Sequence, residues 1–149
     1  DGTSWTYPGK GSLTRRFLLM MTSMGLRKQP DQFSSNMKES FKGPDKVLAS
    51  KSPEMMNGVL STFSEALRSG ITGAHYEAGL YTHPWGFRLG DITADVHLWH
   101  GELDYNVLVS VGRYVAGAIP NCHADFIENE GHLTLIHKHV REVLRVLVA

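Results

Sequence analysis

The sequence predicts an α/β protein in which a helical segment, residues 1–84, precedes parallel strand–helix units, residues 85–149. In the first segment apolar residues recur at helical spacing between chain breakers, and in the second short apolar runs alternate with amphipathic stretches. A strand, a helix and a second strand joined by so long a connection imply a parallel pair. Because parallel sheets bury both faces, we expect other polypeptide to complete this one.

Start and stop signals divide the first segment into helices. Ser12 is a plausible N-cap for a first helix, which we expect to end at Gly25. A second, weaker apolar face stops at Gly43-Pro44. The run Ser52-Pro53-Glu54 then combines a cap, a proline at the first helical position and an early acid, which together predict a helix start. A further short helix is predicted over residues 74–80.

Methionines are frequent in the apolar stripes of this segment, which allows two interpretations. Such stripes most often form a protein core, but methionine packs adaptably and also suits a mobile cover over an apolar pocket. The stripes of the first helix and of the helix after Pro53 comprise Leu13, Phe17, Met20, Met21, Met24, Met56, Val59, Leu60, Phe63 and Leu67.

The second segment alternates between strand and helix patterns. Residues 95–100 form a short run that ends at Gly101 and predicts a strand. Residues 106–119 place their apolar side chains on one helical face, residues 122–127 predict a second strand, and residues 133–147 predict a clear amphipathic helix.

Two polar side chains follow the ends of these strands. Asp104 lies four residues beyond the first strand, and His132 lies five residues beyond the second. Because the carboxyl ends of parallel strands open on one edge of a sheet, we expect the two side chains to meet. A carboxylate there could accept a hydrogen bond from an imidazole N–H and fix its tautomer. Taken singly, the aspartate could be only a helix cap and the histidine only a loop residue.

At these residues the chain resembles the α/β-hydrolase family. The resemblance lies in Trp85-Gly86-Phe87-Arg88-Leu89-Gly90-Asp91-Ile92, in Val96-His97-Leu98-Trp99-His100-Gly101-Glu102-Leu103-Asp104 and in Glu130-Gly131-His132-Leu133. It implies that Asp104 is the catalytic acid and His132 the general base. It covers residues 63–149 well, and residues 1–62 only as a helical lid. Relatives commonly place a proline where this chain has Leu108.

The nucleophile that the resemblance implies is missing. The family carries it on a G-x-S-x-G turn, which does not occur in this sequence. The nearest imitation, around Ser4, lacks the final small residue and a preceding strand. Cys122, with His123 beside it, is an alternative, although neighbouring strand residues point to opposite faces. We therefore expect a fragment that holds the acid and the histidine but neither the nucleophile nor the oxyanion-hole amides, and that is inactive alone.

Composition weighs against other classes of function. Fifteen basic residues balance fifteen acidic ones, so no overall field attracts nucleic acid or a membrane surface. No apolar run is long enough to span a bilayer. Histidines at positions 137 and 139 do not share a helix face, no CxxC or HExxH motif occurs, and we expect neither a metal nor a cofactor. A single cysteine suits a reducing compartment, so we expect a cytoplasmic location.

The sequence thus predicts part of an esterase-like or lipase-like serine hydrolase that acts on a small, partly apolar ester. Trp85 and His100 are candidate substrate-binding residues. The expected partner is the N-terminal half of the hydrolase or a second copy of the chain, either of which would complete the sheet. The alternative is a non-catalytic binding or interaction module, in the form of a segment-swapped homodimer. The chain also lacks a start methionine and a signal-peptide pattern, which suggests an excerpt of a longer protein.

Overall fold

The computed structural model describes residues 12–81 and 83–148. This part of the chain is mostly helical and includes a small parallel sheet, which places it in the mixed α/β class. Its elements are α1 (Ser12–Lys28), α2 (Pro30–Ser40), α3 (Gly43–Lys51), α4 (Pro53–Ala66), α5 (Thr72–Leu80), a 3₁₀ turn (Leu89–Asp91), β1 (Val96–Gly101), α6 (Val109–Ala118), β2 (Cys122–Ile127) and α7 (His132–Val146).

The sheet consists of β1 and β2 in parallel, with a register that runs from Val96 opposite Cys122 to Gly101 opposite Ile127. This confirms the parallel pair that the connection length predicted. Among the described residues no third strand joins the sheet, so each strand keeps one unpaired edge. Both strands end at the same edge, and the loops that follow them begin side by side.

The chain divides into two compact units, and the second contains both strands. It comprises residues 38–53 and 88–149. Within it α6 contacts both strands, α7 packs on β1, and α3 packs on α7. The helix α3 therefore belongs with the strands, although it lies far from them in sequence.

The other unit comprises residues 1–37 and 54–87, of which 12–37, 54–81 and 83–87 are described. In it α1 packs against α5. The Arg27 guanidinium donates hydrogen bonds to the carbonyls of Leu67 at 3.0 Å and Arg68 at 3.2 Å. These carbonyls follow the end of α4, where backbone acceptors lack helical partners, so Arg27 stabilises that helix end.

The methionine-rich stripes differ in burial. On α4, Met56 is 1% exposed and belongs to the core, as the core interpretation predicts. On α1 the same expectation is wrong, because Phe17 is 56% exposed and Met20 49% exposed. Apolar periodicity predicts which face of a helix is apolar, but it does not show whether another element covers that face.

Two helix boundaries correct the sequence predictions. The Gly43-Pro44 pair, expected only as a stop, begins α3: Gly43 has a positive φ of 53° and Pro44 lies in the first turn. Proline suits that place because its missing N–H would have no helical partner there. The helix α1 continues through Gly25 to Lys28.

In the described part of the chain, no helix is long and apolar enough to cross a membrane.

Candidate active site

Backbone hydrogen bonds join the loops that follow the two strands. Glu102 N donates to Ile127 O at 3.0 Å, and Leu103 N donates to Glu130 O at 2.9 Å. Gly101 lies so close to this second loop that a Cβ atom there would be 2.7 Å from Gly131 O. The absence of a side chain at Gly101 therefore lets the two loops approach each other.

Asp104 occupies the first loop and is 7% exposed. Its Oδ1 accepts hydrogen bonds from the backbone amides of Asn106 and Val107, each at 2.8 Å. Its Oδ2 lies 2.8 Å from Nδ1 of His132. The interpretation of Asp104 as a helix cap is wrong, because α6 begins at Val109 with Leu108 at the N-cap position. Its carboxylate is instead held by its own loop, with one oxygen aimed at the imidazole.

His132 is the first residue of α7, and its side chain is 46% exposed. Because an ionised carboxylate only accepts hydrogen bonds, Nδ1 is the donor in the contact with Asp104. The neutral ring then carries its lone pair on Nε2, and no described residue forms a hydrogen bond with that atom. The arrangement therefore presents an oriented base, reachable from solvent, that could accept a proton from a group placed against Nε2.

Glu130 lies two residues before His132 and is 6% exposed. Burial by itself raises the pKa of its carboxyl group, but the hydrogen bond from Lys138 and the positive charge of that ammonium outweigh it and hold the pKa below the usual 4.5. The Lys138 ammonium is 2.8 Å from the carboxylate. Glu130 is therefore ionised near neutral pH and ties the start of the histidine loop to α7.

Asp45, which the sequence analysis missed, is 3% exposed and belongs to α3. Its carboxylate accepts hydrogen bonds from the backbone amides of His132, Leu133 and Thr134 at 2.8, 3.0 and 3.0 Å. It thus acts as the N-cap of α7, although it lies 87 residues before His132 in the sequence. A proline in the first helical turn followed by an acid is a helix-start signal. Pro44 and Asp45 could therefore have indicated α3, but not the contact between Asp45 and the start of α7.

Of the two candidate substrate-binding residues, His100 lies in the unit that contains the pair. Its Nε2 lies 2.9 Å from Val107 O and must be protonated, because a carbonyl only accepts. The ring lies against Gly112, where a Cβ atom would be 2.7 Å from Nδ1. His100 therefore connects β1 to the end of the acid loop. Trp85 belongs to the other unit and is 60% exposed, and its ring lies 5.9 Å from that of Phe87 at an interplanar angle of 34°.

Of the two candidate nucleophiles, the structure describes Cys122, which lies away from this pair. Cys122 is the first residue of β2, so five strand steps, roughly 16 Å, separate it from the carboxyl end of that strand. Ser4 lies outside the described residues. Across residues 12–81 and 83–148 no group of three histidine, cysteine or acidic side chains could hold a metal ion.

Glu102, the other acid of the first loop, pairs with Arg113 of α6 at 2.6 Å. The Arg113 guanidinium also lies 4.6 Å from the ring centroid of Phe126 on β2. Both charged groups are partly exposed, so the ion pair contributes little to stability and serves mainly to brace the loop against the helix.

Comparison with known proteins gives a likeness of fold. No protein-family model matches the sequence, and no curated protein matches it. A solved structure described as "Est816 as an N-Acyl homoserine lactone degrading enzyme" is similar over 84% of this chain, with a TM-score of 0.53 and 18% identity. The chain spans 50% of the length of that structure. The likeness is one of fold, and it extends over part of that structure.

Proposed function

We propose that this chain is part of an α/β-hydrolase and supplies the acid and the histidine of its catalytic triad. The observation that carries the proposal is the 2.8 Å contact between the Asp104 carboxylate and His132 Nδ1. Two backbone amides fix the carboxylate, so it can orient the ring and stabilise the imidazolium that forms when Nε2 takes a proton. The likeness to part of a hydrolase-like fold supports the same assignment.

In the proposed reaction a nucleophile from another polypeptide segment attacks the carbonyl carbon of a small, partly apolar carboxylic ester. His132 accepts the proton of the nucleophile through Nε2, gives it to the departing alcohol, and then activates water to release the acid. The amides that stabilise the tetrahedral intermediate would come from the nucleophile's segment. A lactone is a cyclic ester, so the substrate named for Est816 belongs to the proposed class.

The remaining assignments follow from the same proposal. Of the expected lid, residues 1–84, the helix α3 packs on α7 and would belong to the hydrolase core together with residues 85–149. The rest of residues 1–84 would form the helical lid. His100 would support the loop that carries Asp104, and Trp85 stays a proposed substrate-binding residue of its own unit. The unpaired edges of β1 and β2 would pair with strands of the N-terminal half, and this partner would cover the sheet.

A fluorophosphonate probe tests the function, because it labels only an activated serine. In a protein that combines this chain with the nucleophile segment, we expect labelling and ester turnover, both abolished in His132→Ala. The exposed His137 on the same helix is the matched control, and His137→Ala should behave as wild type. Turnover at the wild-type rate in a folded His132→Ala variant would overturn the proposed role.

The unpaired sheet edges also favour a second candidate, a non-catalytic module that pairs with a copy of itself by exchanging segments. Sedimentation of the pure 149-residue chain tests this candidate. A stable dimer that neither reacts with the probe nor gains turnover when the nucleophile segment is added would favour it over the hydrolase. A monomer that becomes active on that addition would reject it.

A further inference from the structure

We propose that α3 is a clamp on the catalytic pair and that Asp45 is a positioning residue for His132. The inference rests on the proposed function, since it assigns Asp45 a role in holding the general base. Asp104 would orient the imidazole ring, while Asp45 would hold the backbone from which that ring extends. Two carboxylates would thus fix the two ends of one residue.

The geometry at the start of α7 supports the clamp. Gly131, the N-cap residue, has no side chain with which to cap the helix. Oδ2 of Asp45 accepts from the amide of His132 at 2.8 Å, and Oδ1 accepts from the next two amides at 3.0 Å each. The carboxylate therefore satisfies three of the amides that lack helical partners, in a place from which water is excluded. A negative charge at a helix N-terminus is also favourable.

The glycine before His132 makes this approach possible. A Cβ atom on Gly131 would lie 2.5 Å from Oδ1 of Asp45 and 2.7 Å from its Cγ. Its amide meanwhile donates to the Thr134 hydroxyl at 2.6 Å. Thr134 thus binds the Gly131 amide, and Asp45 binds the amide of the next residue, His132. Two consecutive backbone amides are therefore held where the histidine begins the helix.

The same helix also contacts the loop that carries the acid. A Cβ atom on Gly43 would lie 2.8 Å from Cε2 of Tyr105, the residue next to Asp104. The ring of Tyr105 therefore packs directly on the backbone at the start of α3. Gly43 contacts the loop that carries Asp104, and Asp45, two residues later, binds the first amides of α7. A displacement of α3 would alter the position of both partners in the 2.8 Å hydrogen bond.

Asp45→Asn is the informative substitution. The asparagine has the size of the aspartate, and its single oxygen can replace Oδ1, which serves two amides. Its NH₂ group would then face the amide of His132, so two donors would meet and this hydrogen bond would be lost. Asp31→Asn, at an exposed acid in the first turn of α2, is the matched control.

The readout is nuclear magnetic resonance of the ¹⁵N-histidine-labelled 149-residue chain, with the His132 signals identified by their loss in His132→Gln. In the wild type and in Asp31→Asn we expect a hydrogen-bonded Nδ1–H proton. In Asp45→Asn we expect that signal to disappear through exchange, while the amides of β1 and β2 stay protected. In the ester-hydrolysing protein, kcat should fall on the order of 10²-fold with KM unchanged.

A wild-type Nδ1–H signal in Asp45→Asn, even with reduced thermal stability, would overturn the proposal and leave Asp45 as a helix cap alone. If that variant does not fold, Asp45→Glu replaces it, since it keeps three acceptor bonds but adds a methylene. There the proposal expects the Nδ1–H resonance to shift, and an unshifted resonance overturns it. Failure of the proposed function would be seen separately, as turnover that is unaffected by His132→Ala.

Discussion

Gly101→Ala tests how closely the two loops of the site depend on each other. The new Cβ atom would lie 2.7 Å from the Glu130 carbonyl carbon and 2.7 Å from Gly131 O. Both are backbone atoms, so no flexible side chain can move aside. The Glu130 carbonyl oxygen would lie closer still. To reach an ordinary contact near 3.4 Å with all three atoms, one loop must therefore retreat by at least about 0.7 Å.

Two effects follow from that displacement. Overpacking against fixed atoms costs about 1–3 kcal/mol in the free energy of unfolding. If the retreat lengthens the contact between Asp104 and His132 from 2.8 Å to about 3.5 Å, the distance exceeds the range of a hydrogen bond. A misplacement of this size costs on the order of 10²-fold in kcat in the ester-hydrolysing protein.

Urea unfolding of the 149-residue chain, followed by circular dichroism, measures the first effect, and steady-state ester turnover measures the second. Gly117→Ala in α6 is the matched control, because a Cβ atom there meets nothing within 4 Å. Alanine should stabilise that helix by about 0.5–1 kcal/mol. A Gly101→Ala variant as stable and as active as the wild type would refute the reasoning.

Three further substitutions test other contacts. In the wild type, the lowered pKa of Glu130 adds stability above pH 4.5, and this stability is lost as the pH falls through the folded-state pKa. Lys138→Gln should therefore make the unfolding free energy fall less steeply between about pH 5 and pH 3. An unchanged slope would contradict this role of Lys138. Thr134→Val removes the buried acceptor of the Gly131 amide and should lower the free energy of unfolding in urea by about 1–3 kcal/mol. A loss under about 0.5 kcal/mol would show that this hydrogen bond is unimportant. Arg27→Gln should lower the melting temperature of the chain by a few degrees, because the Arg68 carbonyl loses its donor and the Leu67 carbonyl keeps only the Gly70 amide. An unchanged melting temperature would argue against that role.

Local patterns predicted the strands and the helix between them because their residues determine these elements over short distances. The register from Val96 to Gly101 places both strand ends at one edge, so the proximity of Asp104 and His132 followed from topology. That prediction needed only the position of each residue beyond its strand.

Contacts between distant segments could not be predicted in this way. Nothing near Asp45 in the sequence shows that its carboxylate binds the first turn of a helix 87 residues later. The start of α3 was missed because Gly43-Pro44 carries a stop signal and a start signal at once. The exposure of Phe17 was missed because a periodic stripe is the same whether or not another element covers it.

The kcat of Asp104→Asn in the ester-hydrolysing protein tests the central claim most directly. The asparagine keeps the size of the side chain and can still accept through one oxygen, but it no longer enforces the Nδ1–H tautomer of His132. We predict a loss of about 10⁴-fold in kcat with an unchanged circular dichroism spectrum. A kcat equal to that of the wild type would contradict the assignment of Asp104 and His132 as a catalytic pair.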